Sequence, residues 1–243
     1  MSADVTREAA DPERRGATRL GFWAAVVVAG SAATALALGV TTPPRSGSSC
    51  SGSCITYPYT DVAAFVPRDY FWMYPAALMS LSFVVLLACV HSRAPADKTV
   101  FSQVGLSFAV ISATAIVCDY SIQLAVMQPS ILQGEARDGV LFSMYNPHGV
   151  FIALEDVGYL LLGVTFFFTA LAVATGDRLQ RAIRILCFVS AALAIGSLVV
   201  LAALYGTDLG YRYEVTAIAI DWITLIIVAV LLGLLFRREA SGR

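Results

Sequence analysis

Six apolar runs of about 20 residues each dominate this 243-residue chain, and most of the charged residues lie in the breaks between them and in the tails. A run of that length crosses the ~30 Å hydrocarbon core of a bilayer as a helix. The pattern therefore predicts an all-α fold, a polytopic membrane helix bundle with six transmembrane helices. The runs cover residues 20–41, 70–91, 100–123, 149–175, 182–205 and 215–236.

Composition excludes a water-soluble domain. The chain is 58% hydrophobic and only 14% charged, whereas soluble domains carry about 25% charged residues. The runs lack the alternation of barrel strands, and backbone amides in lipid must be satisfied within their own segment, so helices are expected. No proline lies deep in a run, which favours continuous helices.

The distribution of Lys and Arg predicts the orientation, because cytoplasmic loops keep an excess of positive charge. With six spans, one side receives twelve of the sixteen basic residues and the other side four. This places both termini in the cytoplasm. The twelve are Arg7, Arg14, Arg15, Arg19, Arg93, Lys98, Arg178, Arg181, Arg184, Arg237, Arg238 and Arg243, and the four are Arg45, Arg68, Arg137 and Arg212.

The same count divides the chain into a membrane domain and two tails. We expect a disordered cytoplasmic tail over 1–19, a membrane domain over 20–236 and a cytoplasmic tail over 237–243. The outer loops of the membrane domain are then 42–69, 124–148 and 206–214. A cleaved signal peptide is an alternative for the first run, since Ala35-Leu36-Ala37 resembles a processing site. The run is, however, longer than the 7–15 apolar residues typical of such peptides.

Cys50 and Cys54 lie in the first outer loop, within a Ser- and Gly-rich stretch. A disulfide is expected there, because the spacer is flexible and such bonds persist outside the cytoplasm. A redox-active pair is the alternative, although the spacing is not the Cys-x-x-Cys of thiol oxidoreductases.

Four acidic residues lie inside the runs: Asp119, Glu155, Asp156 and Asp221. Each costs roughly 2.5–3.5 kcal/mol on insertion scales, so each is a functional candidate. By helical rise all four lie about 5–11 Å from the outer boundary. With no Lys or Arg in the three runs that hold them, protonation, hydrogen bonds, water or a bound cation must compensate their charge.

Helical spacing suggests partners for these carboxyls. Gln123 shares a face with Asp119, and His148 and Tyr159 share one with Glu155. Arg137 and Arg212 are in position to reach in from the outer loops. The predicted ligand-binding set is Asp119, Gln123, Asn146, His148, Glu155, Asp156, Tyr159 and Asp221, and the catalytic candidates are Asp119, Glu155, Asp221 and His148.

Two smaller features leave their roles open. Asp156 shares a face with Gly149, Ala153 and Gly163, small residues that let a neighbouring helix approach closely. The segment 143–149 contains Asn146-Pro147-His148, which is either an entry turn for the fourth helix or a loop that holds His148 above Glu155 as a proton-transfer group.

The acidic layer admits several functions. One alternative is a hydrogen-bonded network that only fixes helix packing. A second is a pocket that is open to the outer leaflet and binds or senses a small ligand, lipid or cation. A third is an acid–base site for a lipid-like or isoprenoid substrate. A transporter or transporter subunit is a further alternative. The expected partners are the lipid bilayer and a small-molecule or lipid ligand, and the oligomeric state is open.

Several chemistries are excluded by composition. His91 and His148 are the only histidines and lie on opposite sides of the predicted membrane, so neither a bis-histidine haem nor a three-histidine zinc site can form. No metal or cofactor is predicted. Nucleic-acid binding has no support, because the basic residues flank the spans as topology determinants.

Three segments carry a resemblance. The chain resembles a bacterial family of six-helix integral membrane proteins of unknown function over roughly residues 50–236. The resemblance implies a bacterial plasma-membrane setting and one compact six-helix domain, and it implies no activity. The segments that carry it are 119–130, 145–159 and Tyr205-Gly206-Thr207-Asp208.

Overall fold

The computed structural model describes residues 2–52, 54–135 and 139–241, with side chains from residue 15 onward apart from residue 60. Within these ranges every regular element is a helix and there is no strand. Six helical segments are long and apolar enough to cross a membrane, as the sequence predicts.

The helices follow one another with short connections. The α-helices are α1 (Ser2–Val40), α2 (Met73–His91), α3 (Thr99–Ile122), α4 (Gln128–Leu132), α5 (Val150–Ala172), α6 (Arg178–Tyr205) and α7 (Tyr211–Ala240). A π-helix at Gln123–Met127 joins α3 to α4. Short 3-10 helices lie at Thr60–Phe65, Arg68–Tyr70, Ala96–Lys98 and Gly206–Asp208.

The six long helices pack as a closed ring. Going round it, α1 contacts α2, α2 contacts α3, α3 contacts α5, α5 contacts α6, α6 contacts α7, and α7 returns to α1. Helices α5 and α7 also touch across the ring. Each helix therefore buries a face against two neighbours, and α5 and α7 form the centre of the bundle.

Both ends of the chain lie at one end of the bundle, which we call the termini end. There Arg93 bonds Thr18 of α1 and pairs with Glu239 of α7, and Lys98 donates to the carbonyl of Val173 at 2.8 Å. The opposite end, formed by residues 41–52, 54–72, 133–135, 139–149 and 206–210, we call the loop end. Because six helices run from one end of the bundle to the other, the two termini lie at the same end.

Helices α1 and α7 begin earlier than the sequence suggests. Helix α1 begins at Ser2, so the segment expected as a disordered tail has a helical backbone, and Ala, Glu and Arg in it favour a helix. Helix α7 begins at Tyr211 rather than at 215. Gly206 and Gly210 have φ values of 52° and 51°, which glycine adopts without steric cost, so a five-residue turn suffices.

The third span does not end at Gln123 as predicted. It continues through the π-helix and α4 to Leu132, so the second loop of the loop end begins about nine residues later than expected. Pro129 has no N–H to bond the carbonyl four residues before it. The wider π turn ends two residues before this proline. The helical segment therefore continues past Gln123, but its hydrogen-bond pattern changes there.

Small residues allow the helices to approach closely. A Cβ built on Gly158 of α5 would lie 2.5 Å from the side chain of Ile116 on α3, and Ser112 Oγ donates to the Gly158 carbonyl at 2.7 Å. Gly163 faces Ala194 of α6, where a Cβ would lie 3.0 Å from the methyl group. The predicted close packing along the small-residue face of α5 is thus present at Gly163.

We expect Gly158→Ala to destabilise the protein by about 1–3 kcal/mol, because the new methyl group overlaps Ile116 in a packed contact. Gly196→Ala is the matched control, since nothing lies within 4 Å of a Cβ there. Both changes gain the same helix propensity. Thermal unfolding in one detergent should show a lower Tm only for Gly158→Ala, and equal Tm values would contradict the packing argument.

Candidate ligand-binding site

The first loop folds over the loop end of the bundle. Cys50 and Cys54 form the predicted disulfide, with Cα atoms 5.8 Å apart. The buried side chain of Ile55 follows it, and the Ile55 amide donates to the carbonyl of Arg45 at 2.5 Å. These contacts bring Arg45 and Ile55 together, and Gly47 in the same loop lies against Tyr211 of α7.

An ion pair anchors this loop to the start of the second span. Arg45 Nε lies 3.1 Å from Asp69 Oδ2, and the Asp69 side chain is fully buried. Tyr145 donates its hydroxyl to the same oxygen at 3.2 Å, and Arg45 lies 3.8 Å above the ring of Phe65. Burial and the neighbouring Asp69 carboxylate raise the pKa of Tyr145 far above its usual range, so the hydroxyl keeps the proton that it donates.

Two glutamates meet where α5 and α7 touch. Glu155 and Glu214 are buried and lie within hydrogen-bonding reach of each other. An ionised carboxylate has no hydrogen-bond donor, so a proton held on one carboxyl is what can join them. Two adjacent carboxylates in an apolar setting do not both ionise. We call Glu155 and Glu214 the acid pair.

A chain of hydroxyl groups supports the acid pair. Tyr120 of α3 donates to Glu155 Oε1 at 2.6 Å and lies 2.8 Å from the hydroxyl of Tyr159. Trp222 of α7 donates its indole N–H to Tyr159 at 3.1 Å. All of these side chains are buried. The chain fixes the position of Glu155 and occupies its Oε1, so Glu155 has no free oxygen on that side.

Three other carboxyls, Asp119, Asp156 and Asp221, lie on α3, α5 and α7 and do not join the acid pair. Asp119 and Asp156 are close enough to interact electrostatically with Glu155. Asp221 lies two turns further along α7 than Glu214, where Ser190 of α6 contacts its Oδ1 at 3.5 Å. The second oxygen of Asp221 and one oxygen each of Asp119 and Asp156 are buried without a hydrogen-bond partner among the described residues.

A cavity of about 470 Å³ opens beside the acid pair. Its wall is mostly apolar and aromatic, and Glu214, Asp69 and Arg45 are the charged side chains that reach it. Helices α1 and α7, the disulfide loop and the start of the second span enclose it. The residues that line it are Leu36, Gly39, Val40, Thr42, Pro43, Pro44, Arg45, Ser46, Ser49, Asp69, Trp72, Met144, Tyr145, Tyr211, Glu214, Val215, Ile218, Ala219 and Trp222.

None of the eight predicted ligand-binding residues lines this cavity. Five of them are in or around the polar layer behind its wall: Asp119, Glu155, Asp156, Tyr159 and Asp221. Two of them contact residues of the cavity wall: Glu155 contacts Glu214, and Tyr159 accepts a hydrogen bond from Trp222. The polar layer therefore lies behind the wall of the cavity rather than forming the wall.

The remaining three predicted residues shape the loop before α5. Gln123 is buried and bonds the carbonyl of Phe142 at 2.5 Å and the amide of Met144 at 3.3 Å. Asn146 bonds the carbonyl of Val140 and the amide of His148. His148 itself is exposed, and the structure does not bring it to Glu155. These contacts are those of an entry turn.

The two loop arginines also differ from expectation. Arg212 lies 4.1 Å from the ring of Tyr205 and donates to the carbonyl of Asp208 at 2.5 Å, so it does not reach the carboxyls. Arg137 lies outside the described residues. Arg45, which the sequence did not single out, is the arginine at the cavity.

The sequence analysis missed Glu214 and Asp69, because it assigned both to outer loops. Glu214 lies seven residues before Asp221, a spacing of two helical turns that would have placed both on α7. Asp69 directly precedes the apolar run of α2. An acidic residue within one turn of a predicted span is the signal that would have identified both.

Comparison of the chain with models of known protein families, with curated proteins and with solved structures found no match. The resemblance noted from the sequence motifs gains no support from these comparisons. The function must therefore be argued from the geometry of the cavity.

We expect Arg45→Met to destabilise the protein by about 3 kcal/mol, because it leaves the buried Asp69 carboxylate unpaired. Arg68→Met is the control, since Arg68 makes an exposed bond to the Thr41 carbonyl and its loss should cost under about 0.5 kcal/mol. Denaturant or thermal unfolding measures both. The double variant Arg45→Met/Asp69→Asn should recover most of the lost stability, because no buried charge is then left unpaired. If Arg45→Met is as stable as Arg68→Met, the ion pair between Arg45 and Asp69 does not have this role.

Proposed function

We propose that the chain is a multi-pass protein of a bacterial plasma membrane with both termini in the cytoplasm and the loop end outside. The distribution of basic residues supports this orientation. The disulfide between Cys50 and Cys54 lies at the loop end, and such bonds persist in oxidising compartments. Orientation and disulfide thus agree.

Reporter fusions test this orientation. Green fluorescent protein attached after the C-terminus should fluoresce, because it matures in the cytoplasm. Alkaline phosphatase inserted at Gly134, an exposed loop-end residue, should be active, because that enzyme needs an oxidising compartment. The reverse pattern of activities would invert the topology.

The function that the geometry supports best is binding, or sensing, of a small ligand or lipid in the loop-end cavity. The single observation behind it is a cavity of about 470 Å³ whose apolar wall contains one member of a buried acid pair. Binding sites for small molecules are typically apolar clefts of this size with a few convergent polar groups. A network that only fixed helix packing would need no such space.

The mouth of the cavity indicates a membrane source for the ligand. Val40 at the end of α1 is 74% exposed and Val215 at the start of α7 is 52% exposed, and both line the cavity. These residues lie in helices that are apolar enough to span a bilayer. A ligand with an apolar body is therefore able to enter sideways from the outer leaflet.

Acid–base catalysis on a membrane-soluble substrate is the second candidate. It is favoured by the proton that Glu155 and Glu214 share at the edge of an apolar space, since a protonated carboxyl can donate while its ionised partner stabilises positive charge. Incubation with an alkene in deuterated water distinguishes catalysis from binding. An acid–base catalyst would introduce deuterium into the alkene, and a protein that only binds it would not.

Transport has less support. The polar layer is confined to the loop-end half of the bundle, whereas the termini-end half of α7 buries apolar residues such as Leu232 and Phe236. A substrate path to the cytoplasm would have to part these side chains. The described residues show no polar route there.

Tryptophan fluorescence tests the binding function. The chain has three tryptophans. Trp72 and Trp222 line the cavity, and Trp23 is 61% exposed away from it. In a Trp23→Phe background in nanodiscs, titration with n-decanol should change the emission saturably.

Ala219→Phe should weaken this binding at least about tenfold, because Ala219 lines the cavity and the added ring fills space that the alkyl chain needs. Ala203→Phe is the matched control, since Ala203 is exposed on α6 and outside the cavity. Saturable binding that Ala219→Phe leaves unchanged would refute a ligand site in this cavity.

A further inference from the structure

We infer that the ligand of the cavity carries a protonated primary or secondary amine that binds the carboxylate of Glu214. This inference rests on the proposed binding function and adds the chemical class of the ligand. It follows from three observations about the cavity: its charge balance, the accessibility of Glu214 and the aromatic wall.

The charge balance of the cavity favours a cation. Arg45 is the basic residue that lines the cavity, and its charge is neutralised by Asp69 at 3.1 Å. Arg68 and Arg212 bond backbone carbonyls near the rim instead. The acid pair, in contrast, has no cation beside it among the described residues. An anionic ligand would therefore meet no free cation, while an amine would meet the Glu214 carboxyl, which has no basic partner.

Glu214 is the member of the pair that a ligand can reach. It lines the cavity, whereas Glu155 does not. Glu214 is 7% exposed and its Oε2 has no hydrogen-bond partner, while Oε1 of Glu155 is bonded to Tyr120. Burying a carboxylate oxygen without a hydrogen-bond donor costs free energy, and an amine N–H that donates to this oxygen would remove that cost.

The proton of the acid pair lets it accept a cation without a second buried charge. When an amine binds the carboxylate of Glu214, the proton of the pair must lie on Glu155, which is buried among Tyr120 and Tyr159. The site then holds one ammonium and one carboxylate, which is a neutral pair. Neutralising the one charge in this way satisfies the requirement that buried charges be paired.

Aromatic rings complete the environment expected for an ammonium group. Trp72, Trp222, Tyr145 and Tyr211 line the cavity, and the ring centroids of Trp72 and Trp222 are 5.9 Å apart. Cations are attracted to such ring faces. A metal ion fits less well, because no group of three His, Cys, Asp or Glu side chains in the described part of the chain is arranged to hold one.

Two probes of equal chain length, one an amine and one an alcohol, test whether binding depends on the amine or only on the apolar chain. In the Trp23→Phe background, in nanodiscs made only of phosphatidylcholine, n-decylamine and n-decanol are titrated against tryptophan emission. We expect decylamine to bind at least about tenfold more tightly than decanol, as a charge-assisted bond to a buried carboxylate implies. Equal binding of both probes would refute the amine while leaving the binding function intact, and binding of neither would refute the binding function.

Two isosteric variants identify the residue. Glu214→Gln should bind decylamine no better than decanol, because it removes the cavity-facing charge. Glu155→Gln should keep the preference within about threefold, because Glu214 then carries the charge alone and accepts a hydrogen bond from the new amide. Unchanged decanol binding shows that each variant is folded. Equal loss of decylamine preference in both variants, or its retention in Glu214→Gln, would overturn the assignment to Glu214.

The same amine chemistry is available from a free amphipathic amine or from the headgroup of an amine-bearing lipid. Repeating the titration in nanodiscs that contain phosphatidylethanolamine distinguishes the sources. A weaker apparent affinity for decylamine there identifies the lipid as the occupant, because it competes for Glu214. An unchanged affinity identifies a free amine.

Discussion

The contact between Glu155 and Glu214 is the constraint on which the loop end of this bundle depends. Two carboxyl groups that are both buried, on the two helices that touch across the ring, tolerate each other only when they share a proton. The pair lies where α5 and α7 contact each other, so this part of the helix contact is polar. Tyr120 donates to Glu155 on one side of the pair, and Glu214 lines the cavity on the other.

Buried polar side chains at the loop end satisfy one another through hydrogen bonds between helices. Tyr120, Tyr159 and Trp222 connect α3, α5 and α7 through hydrogen bonds, and each bond satisfies a group that would otherwise be stranded among apolar side chains. At the termini end the ionic contacts, such as Arg93 with Glu239, lie at the helix ends instead. The hydrogen-bonded polar groups and the cavity therefore lie at the same end of the bundle.

The sequence predicted the number of spans and the disulfide because both depend on local features: run length, and two cysteines separated by a flexible spacer. It also identified Glu155 as a buried acid. It missed Glu214 because the helix boundary was set at the first apolar residue, whereas α7 begins at Tyr211. It placed His148 above Glu155 by extending helical spacing through a loop, but Asn146 folds that loop into a turn. Boundaries and loop paths depend on tertiary contacts that a periodic pattern does not contain.

The expectation that four carboxyls build one pocket assumed that all four lie at one depth. Asp221 lies two turns, about 10 Å, further along α7 than Glu214, where Ser190 of α6 contacts it, whereas Glu214 lines the cavity. Among the carboxyls of the described residues, Glu214 and the ion-paired Asp69 line the cavity. Because Asp69 is already neutralised by Arg45, Glu214 is the cavity carboxyl that remains without a basic partner, and it is there because α7 begins before its apolar run.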